Sequence, residues 1–404
     1  MLSWKEKLGV VSGNALEYYD IAVFAAIMPY LSHILEKSGL NDSTYIVWGI
    51  FALRFLIRPF GAIVVGKIAD AKGKKNALIL TSTLTGLSAL TMACLPVSSL
   101  GESVAVIFLL LQMIQSFSFA GEFPTITQYL HRNTSSKESG IVSSLIVASS
   151  LIGVILSFLV VFVLQSYLSK AQMQEFGWRI PLFIGVVNIG ISFWFRMKLS
   201  EEVESSQNTR PKNYDAHSIF RMFLITASGS VAFFIPSFSS GIIAKSLHLE
   251  HFGIINTVML FVFMIIVGFL TDKISNPKNS FRLGLLLALL FQYPLYYFIV
   301  KSDSVALHWF ALASITFISA MILSNLAGVL FSVSFGSTVD LGLGYNISSA
   351  TFGGLSPLIV QYVSSFGTQY VGLYASLAAL PALAGLYLYR ERKQSSKLEP
   401  AYLR

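Results

Sequence analysis

Residues 140–164 read GIVSSLIVASSLIGVILSFLVVFVL, an apolar segment without a single charged side chain. An α-helix needs about 20 apolar residues to cross the roughly 30 Å of hydrocarbon in a bilayer, and this segment is long enough. Over the full 404 residues, 54% are hydrophobic and only 12% are charged, against roughly 25% charged in an ordinary soluble domain. The chain is therefore expected to be an integral membrane protein.

Further segments of similar length and composition occur along the whole chain. The twelve predicted spans are residues 9–31, 44–66, 77–96, 103–130, 140–164, 178–196, 218–240, 253–270, 281–299, 305–330, 342–363 and 369–389. The first span carries Glu17 and Asp20 and has no small-residue cleavage site, so it predicts a retained helix and not a signal peptide. We therefore predict an all-α, polytopic membrane protein with twelve transmembrane helices.

Lysine and arginine are distributed unevenly over the loops between these spans. The chain has 28 lysine and arginine residues. The loops on the side opposite the N-terminus contain only five of them, Lys37, Lys170, Arg179, Lys245 and Lys301. By the positive-inside rule, the N-terminus, the central loop and the C-terminus are all cytoplasmic, which fits an even number of spans in a cell inner membrane. The net charge of +8 is then a topology signal, and no nucleic-acid partner is expected.

Several function classes lack their sequence signals. Cys94 is the single cysteine, the six histidines lie in loops or near span ends, and no Gly-x-x-x-x-Gly-Lys-Ser/Thr loop occurs. The sequence therefore argues against a metal cluster and against an ATP-driven pump within this chain. We expect no enzymatic activity, no metal and no cofactor, with an ion gradient as the energy source.

The chain divides into two halves of similar length. A polar stretch at 198–217 separates six spans from six and predicts a cytoplasmic linker between residues 1–197 and 218–404. The sequence Gly-x-x-x-Asp follows the second span at residues 66–70 and recurs after the eighth span at residues 268–272. Two repeated six-helix halves are a common architecture of secondary carriers, in which a binding site at the midplane is exposed to each side in turn.

Five charged residues fall deep inside the first, second and fourth spans. Glu17 and Asp20 are three residues apart, Arg54 and Arg58 are four apart, and Glu122 lies in the fourth span. These spacings place each pair on one helix face, and ionisable side chains within the membrane are functional candidates. Three acids against two arginines leave one carboxylate unpaired, and low dielectric favours its protonated form, which suits proton coupling. The alternative is a salt-bridge network that only fixes helix packing.

Several motifs carry a resemblance to a known family. Residues 13–20 read GNALEYYD, residues 55–62 read FLIRPFGA, residues 115–122 read QSFSFAGE and residues 177–181 read GWRIP. Together with 343–346 and 352–357, they resemble the metabolite:proton symporters of the major facilitator superfamily, whose members carry organic acids, proline and betaine. The resemblance implies a proton-coupled carrier that works by alternating access. The chain departs from the family pattern at Gln112, at Arg54 and at residues 330–337.

Residues 66–75, GKIADAKGKK, are similar to the superfamily's GxxxDRxGRK loop, with Ala71 in place of the usual Arg. The resemblance implies that this loop latches the two halves during the conformational cycle. The gating candidates in this loop are Gly66, Asp70, Gly73 and Lys74. Asp272, which occupies the position of Asp70 in the repeated sequence of the second half, is the fifth candidate.

The remaining candidates concern protons and substrate. The proton-coupling candidates are Asp20, Glu122 and Glu17. Arg54 is either an anchor for a substrate carboxylate, which a guanidinium can bind through paired donors, or a partner for Glu17 or Asp20. The substrate-binding candidates are Arg54, Arg58, Asn14, Tyr18, Tyr19, Gln112, Gln115, Gln292, Tyr296 and Asn325.

The sequence thus predicts a secondary active transporter of a small anionic or zwitterionic metabolite. Its expected partners are that substrate, protons and the lipid bilayer, and we expect a monomer. Two alternatives stay open: a proton-driven exporter of a drug or siderophore-like molecule, and a membrane sensor that keeps the fold without transporting.

Overall fold

The computed structural model describes residues 2–197, 214–239, 243 and 252–388, and every regular element among them is helical. The elements are α1 (Trp4–Lys37), α2 (Ser43–Leu53 and Arg58–Lys72), α3 (Lys74–Cys94), α4 (Ser103–Arg132), α5 (Ser139–Tyr167), α6 (Arg179–Met197), α7 (Ala216–Phe234), α8 (Phe252–Ile274), α9 (Pro277–Lys301), α10 (Val305–Ser334), α11 (Thr338–Ser348 and Ser356–Ser364) and α12 (Gln369–Leu377 and Ala379–Tyr387).

Three of these helices are interrupted, α12 only at Ala378, and the longer breaks lie in α2 and α11. A 3-10 turn at Arg54–Ile57 joins the two pieces of α2, and a π-helical turn at Ser349–Gly354 joins those of α11. Pro59 follows the first break, and because proline has no backbone N–H, the carbonyl four residues before it cannot accept an α-helical hydrogen bond. The Phe55 carbonyl instead accepts from the Arg58 N–H, which tightens the turn.

The described residues place a helix at each of the twelve predicted spans. Ten of these helices, counting α2 across its break, are long and apolar enough to cross a membrane. The apolar described part of α6, Arg179–Ile191, is shorter, and α11 is divided by its π-helical turn. The predicted all-α polytopic fold is confirmed. Most of the predicted linker, residues 198–213, and the tail from residue 389 lie outside the described part of the chain, so the linker boundaries stay a prediction.

The two ends of the helix bundle are named here by the first helix. The Trp4 end is where α1 begins and where α2, α4, α8 and α10 end; the Lys37 end is opposite. Among the described residues, several hydrogen bonds join α1–α6 to α7–α12 toward the Trp4 end. They include Asn346 Nδ2 to the Ala120 carbonyl (2.8 Å), Ser144 Oγ to the Met264 carbonyl (2.6 Å), Gly328 N to Ser143 Oγ (3.0 Å), Gln128 Nε2 to Ser334 Oγ (2.6 Å), Arg132 Nη2 to the Gly336 carbonyl (2.6 Å), and Gly140 N (2.6 Å) and Ile141 N (2.8 Å) to the Asp272 carboxylate.

Contacts nearer the Lys37 end are of another kind. The rings of Phe55 on α2 and Phe234 on α7 meet edge to face with centroids 5.8 Å apart. Gly354 of α11 lies against the same Phe55 ring, where a Cβ atom would come within 3.0 Å of it. Hydrogen bonds therefore join the halves toward the Trp4 end, and ring packing joins them at the break in α2.

Candidate substrate-binding site

A small cavity, with about 30 Å³ of space for water-sized molecules, lies between the two halves. Its lining comes from α1, α2, α4 and α5 of the first half and from α7, α10 and α11 of the second: Tyr18, Ile21, Arg58, Phe123, Val147, Ser150, Gly229, Ser230, Phe233, Phe234, Leu323, Leu326, Tyr345 and Ser349. We call this space the central cavity. Its position between the two sets of helices is the one expected for a carrier's substrate site.

Arg58 is placed in this cavity by the break in α2. Its side chain is 6% exposed, and its guanidinium lies 4.3 Å from the centroid of the Phe55 ring. Tyr18 and Tyr345 line the same cavity. A cation over an aromatic face is stabilised by the ring quadrupole while its N–H groups stay available for an anion. Arg58 is therefore oriented to bind a negatively charged group.

Tyr345 joins the two walls of the central cavity. Its ring stacks on that of Phe123 from α4, with centroids 4.1 Å apart and an interplanar angle of 16°. Its hydroxyl interacts with the side chains of Tyr18 on α1 and Ser349 on α11. The contacts with Phe123 and Tyr18 cross from one half to the other, so Tyr345 links α11 to α1 and α4 at the cavity.

The chemistry of the lining is simple. Among the described residues that line the central cavity, Arg58 is the one that carries a formal charge at neutral pH. Hydroxyl groups supply most of the other polar atoms, and Ser230 and Ser349 lie with their oxygens 3.5 Å apart. A guanidinium binds carboxylates well, and hydroxyl groups can either donate or accept. The site can therefore hold a carboxylate next to hydroxyl groups and aromatic rings.

Arg54 lies outside the cavity lining, although the sequence pairs it with Arg58. Its side chain is 1% exposed and its Nη1 donates a 2.6 Å hydrogen bond to Gln112 Oε1. Gln112 Nε2 in turn donates to Gln115 Oε1 at 2.9 Å, and the Arg54 guanidinium lies 4.1 Å from the Phe51 ring centroid. These three predicted substrate residues form a polar chain between α2 and α4. Their assignment to substrate stays a prediction.

Gln112 should be essential to the stability of this polar chain. We expect Gln112→Leu to lower the free energy of unfolding by about 3 kcal/mol, because a buried cation loses its acceptor, and the Arg54→Leu/Gln112→Leu double variant to recover most of that loss. The measurement is a double-mutant cycle on thermal unfolding in detergent micelles. Equal stability of Gln112→Leu and wild type would show that the hydrogen bond from Arg54 to Gln112 does not stabilise the fold.

The remaining candidates of the first half pack within that half. Asn14 Nδ2 donates to the Ile146 carbonyl (3.1 Å) and to the hydroxyls of Ser149 (2.8 Å) and Ser150 (3.1 Å), and it thereby ties α1 to α5. The Tyr19 hydroxyl donates to the Pro181 carbonyl of α6 at 3.0 Å. Of the predicted set in α1, only Tyr18 lines the central cavity.

The proton-coupling candidates Asp20 and Glu122 are each 3% exposed. The carboxylate of Asp20 lies against Gly185 of α6. The side chain of Glu17 lies outside the described residues. The two described acids are thus buried within the first half, and their role in proton coupling stays a prediction.

The three candidates of the second half do not line the central cavity. Gln292 and Tyr296 line a separate small cavity, with about 30 Å³ of space for water-sized molecules, between α7–α10 and α12. Asn325 Nδ2 donates to the Met321 carbonyl of its own helix at 2.8 Å. For these residues a role in substrate binding stays a prediction.

The gating candidates lie at the Trp4 end. Gly66 of α2 lies against Val339 of α11, where a Cβ atom would come within 2.9 Å of the valine side chain. Asp272 accepts the two N–H groups at the start of α5, and Gly73 adopts φ +87° between α2 and α3. The side chains of Asp70 and Lys74 lie outside the described residues. Whether these groups gate transport stays a prediction.

Sequence reasoning missed part of the central cavity. Tyr345 belongs to the motif at 343–346, which carried the family resemblance but received no site role. Ser230, Phe233, Phe234 and Ser349 have no local signal, because polar and aromatic residues occur on every face of their helices. Only the docking of the halves brings them opposite Arg58.

Comparison with known proteins gives a consistent result. The family model described as Major Facilitator Superfamily matches residues 10–336. The chain is 30% identical to an alpha-ketoglutarate permease of Escherichia coli strain K12, over 96% of this chain and 94% of that protein. It is 26% identical to a citrate-proton symporter of Salmonella typhi, over 87% of this chain and 85% of that protein. The fold superposes on the structure of the proton:xylose symporter XylE with a TM-score of 0.75 at 12% identity, covering 94% of this chain and 93% of that one.

Proposed function

The chain belongs to the major facilitator superfamily and is a secondary transporter, and from this premise we propose that it imports a small carboxylate-bearing metabolite together with protons. The observation that carries the proposal is Arg58, a guanidinium in the central cavity, which Tyr18 and Tyr345 also line. The names of the two similar proteins, a permease for alpha-ketoglutarate and a proton symporter for citrate, agree with a carboxylate cargo.

We propose Asp20 and Glu122 as the proton carriers, with Glu17 as a further candidate. Both described carboxylates are almost fully buried in the half that also supplies Arg58. Since burial in low dielectric disfavours a charged carboxylate, protonation and deprotonation of these groups can be coupled to the opening of one side of the cavity. No cofactor is required beyond the proton gradient.

The orientation of the chain is part of the proposal. The Trp4 end is cytoplasmic, because the loops at that end carry most of the lysine and arginine. Both termini then lie in the cytoplasm, and the protein works as a monomer in a cell inner membrane. In the described conformation the hydrogen bonds between the halves close the cytoplasmic side.

Uptake into proteoliposomes tests the proposal. The reconstituted chain should accumulate labelled carboxylates when the lumen is alkaline, and a protonophore should abolish the accumulation. Asp20→Asn and Glu122→Gln should bind substrate but lose at least about tenfold of the gradient-driven rate, since neither amide can carry the proton. Glu102→Gln, a change at an exposed carboxylate outside the helices, is the matched control and should behave as wild type.

Three results would decide against the proposal. Accumulation that does not respond to the pH gradient in wild type would refute proton coupling. Movement only in the outward direction would favour an exporter. Ligand binding without transport of any solute would favour a sensor on the same fold.

A further inference from the structure

We infer that the central cavity selects a cargo with a single carboxylate and an otherwise uncharged body. This inference rests on the proposed function, since it names the substrate class of the same site. It departs from the cargo of the two similar proteins, because alpha-ketoglutarate carries two carboxylates and citrate carries three.

The first reason is the count of cations. Arg58 is the one formally charged side chain among the described residues that line the cavity. Arg54, the other arginine in the spans of this half, has its guanidinium over Phe51 and hydrogen-bonded to Gln112, away from the cavity lining. A single guanidinium can satisfy one carboxylate through its paired N–H donors.

The second reason is the composition of the wall that the second half contributes. Phe233, Phe234, Leu323 and Leu326 line the cavity there, together with the hydroxyl of Ser230. A second carboxylate at that wall would lose its hydration without gaining a cation, and burial of an unpaired charge is strongly unfavourable. An apolar or hydroxyl-bearing body fits the same wall.

The third reason concerns a zwitterion. An ammonium group needs a carboxylate or open aromatic faces, and none of the described residues lining the cavity is acidic. The aromatic rings are already engaged with one another: Phe233 packs edge to face with Tyr18 at 6.0 Å and with Phe234 at 5.7 Å, and Phe123 stacks on Tyr345. The cavity therefore favours a monoanion over an amino acid.

Binding of three five-carbon probes to the purified full-length chain tests the inference. Pentanoate carries one carboxylate, glutarate carries two, and 5-aminopentanoate is a zwitterion, so the series changes charge at nearly constant size. By isothermal titration in detergent micelles, we expect pentanoate to bind at least about tenfold more tightly than either of the others. Equal or tighter binding of glutarate or of 5-aminopentanoate, or no binding by pentanoate, would overturn the inference.

A gain of charge provides the second arm of the experiment. Ser230→Lys adds a cation to the wall opposite Arg58 and should reverse the preference, so that glutarate binds more tightly than pentanoate. Ser230→Met adds similar bulk without charge and should leave the order of the probes unchanged. Failure of the lysine to improve glutarate binding relative to the methionine variant would contradict the inference.

The two proposals fail in different ways. If pentanoate binds selectively but no carboxylate is taken up with protons, the proposed function fails and the charge selection stands. If uptake is proton-driven but glutarate is bound and carried as well as pentanoate, the proposed function stands and the charge selection fails.

Discussion

Arg58→Leu is expected to reduce proton-driven uptake by about 100-fold while the protein still folds into its membrane bundle. Two charge-assisted hydrogen bonds from a guanidinium to a carboxylate together contribute about 3 kcal/mol, and each 1.4 kcal/mol is a factor of ten in affinity. The cavity lining offers no second described cation that could replace this contact. Uptake of a labelled carboxylate into proteoliposomes is the measurement, with size-exclusion chromatography as the check on folding.

Two further variants separate charge from geometry. Arg58→Lys keeps the positive charge but not the planar pair of donors, so it should recover only part of the activity. Arg282→Leu is the matched control, because Arg282 is exposed near the Trp4 end, where its guanidinium lies 5.4 Å from the Tyr387 ring centroid. If Arg58→Leu and Arg282→Leu transport equally well, Arg58 is not the carboxylate ligand.

The fold could be predicted from the sequence because its main signal is local. An uncharged apolar run such as residues 140–164 has few alternatives to a membrane helix, and the twelve predicted spans agree with the helices of the structure. The predicted resemblance to the major facilitator superfamily is also confirmed. The π-helical turn at Ser349–Gly354, which divides α11, was not predicted, because hydropathy does not register such a turn.

The site could be predicted only in part, and Arg54 and Arg58 show why. In a continuous α-helix, residues four apart point in directions about 40° apart, so both side chains were expected on one face. In a 3-10 turn with three residues per turn, the same separation gives about 120°. The turn at Arg54–Ile57 therefore sends Arg58 into the central cavity and Arg54 toward Gln112.

Contacts between the halves were beyond prediction for a different reason. Tyr345 lies near Tyr18 and Phe123, which are far from it in sequence, and only the docking of α11 against α1 and α4 brings them together. A resemblance to a family motif marked Tyr345 as notable. Its partners depend on the conformation in which the two halves meet, which a single sequence does not encode as a local pattern.

Asp272→Ala is expected to shift the chain toward the conformation that is open at the Trp4 end. The Asp272 carboxylate accepts hydrogen bonds from Gly140 N (2.6 Å) and Ile141 N (2.8 Å), at the start of α5 in the opposite half. An acidic cap on a helix N-terminus contributes about 1 to 2 kcal/mol through its hydrogen bonds and the helix dipole. Removal of this contact destabilises only the closed state, because α5 and α8 are already separated in the open state. The population of the open state should therefore rise by about tenfold.

Cysteine labelling from each side of the membrane measures this shift. Ser150 lines the central cavity, so Ser150→Cys in a Cys94→Ser background reports its exposure to a membrane-impermeant maleimide. Asp272→Ala should label about tenfold faster from the Trp4 side and slower from the Lys37 side. Asp272→Asn keeps one acceptor oxygen, so its labelling rates should lie between those of the parent and of Asp272→Ala. Asp303→Ala, at an exposed carboxylate beyond the Lys37 end of α9, should label as the parent does.

Equal labelling rates for Asp272→Ala and Asp303→Ala would show that the cap on α5 does not hold the Trp4 side closed. An increase from both sides at once would instead indicate loosening of the whole bundle, because a latch between the halves changes access at the two ends in opposite directions.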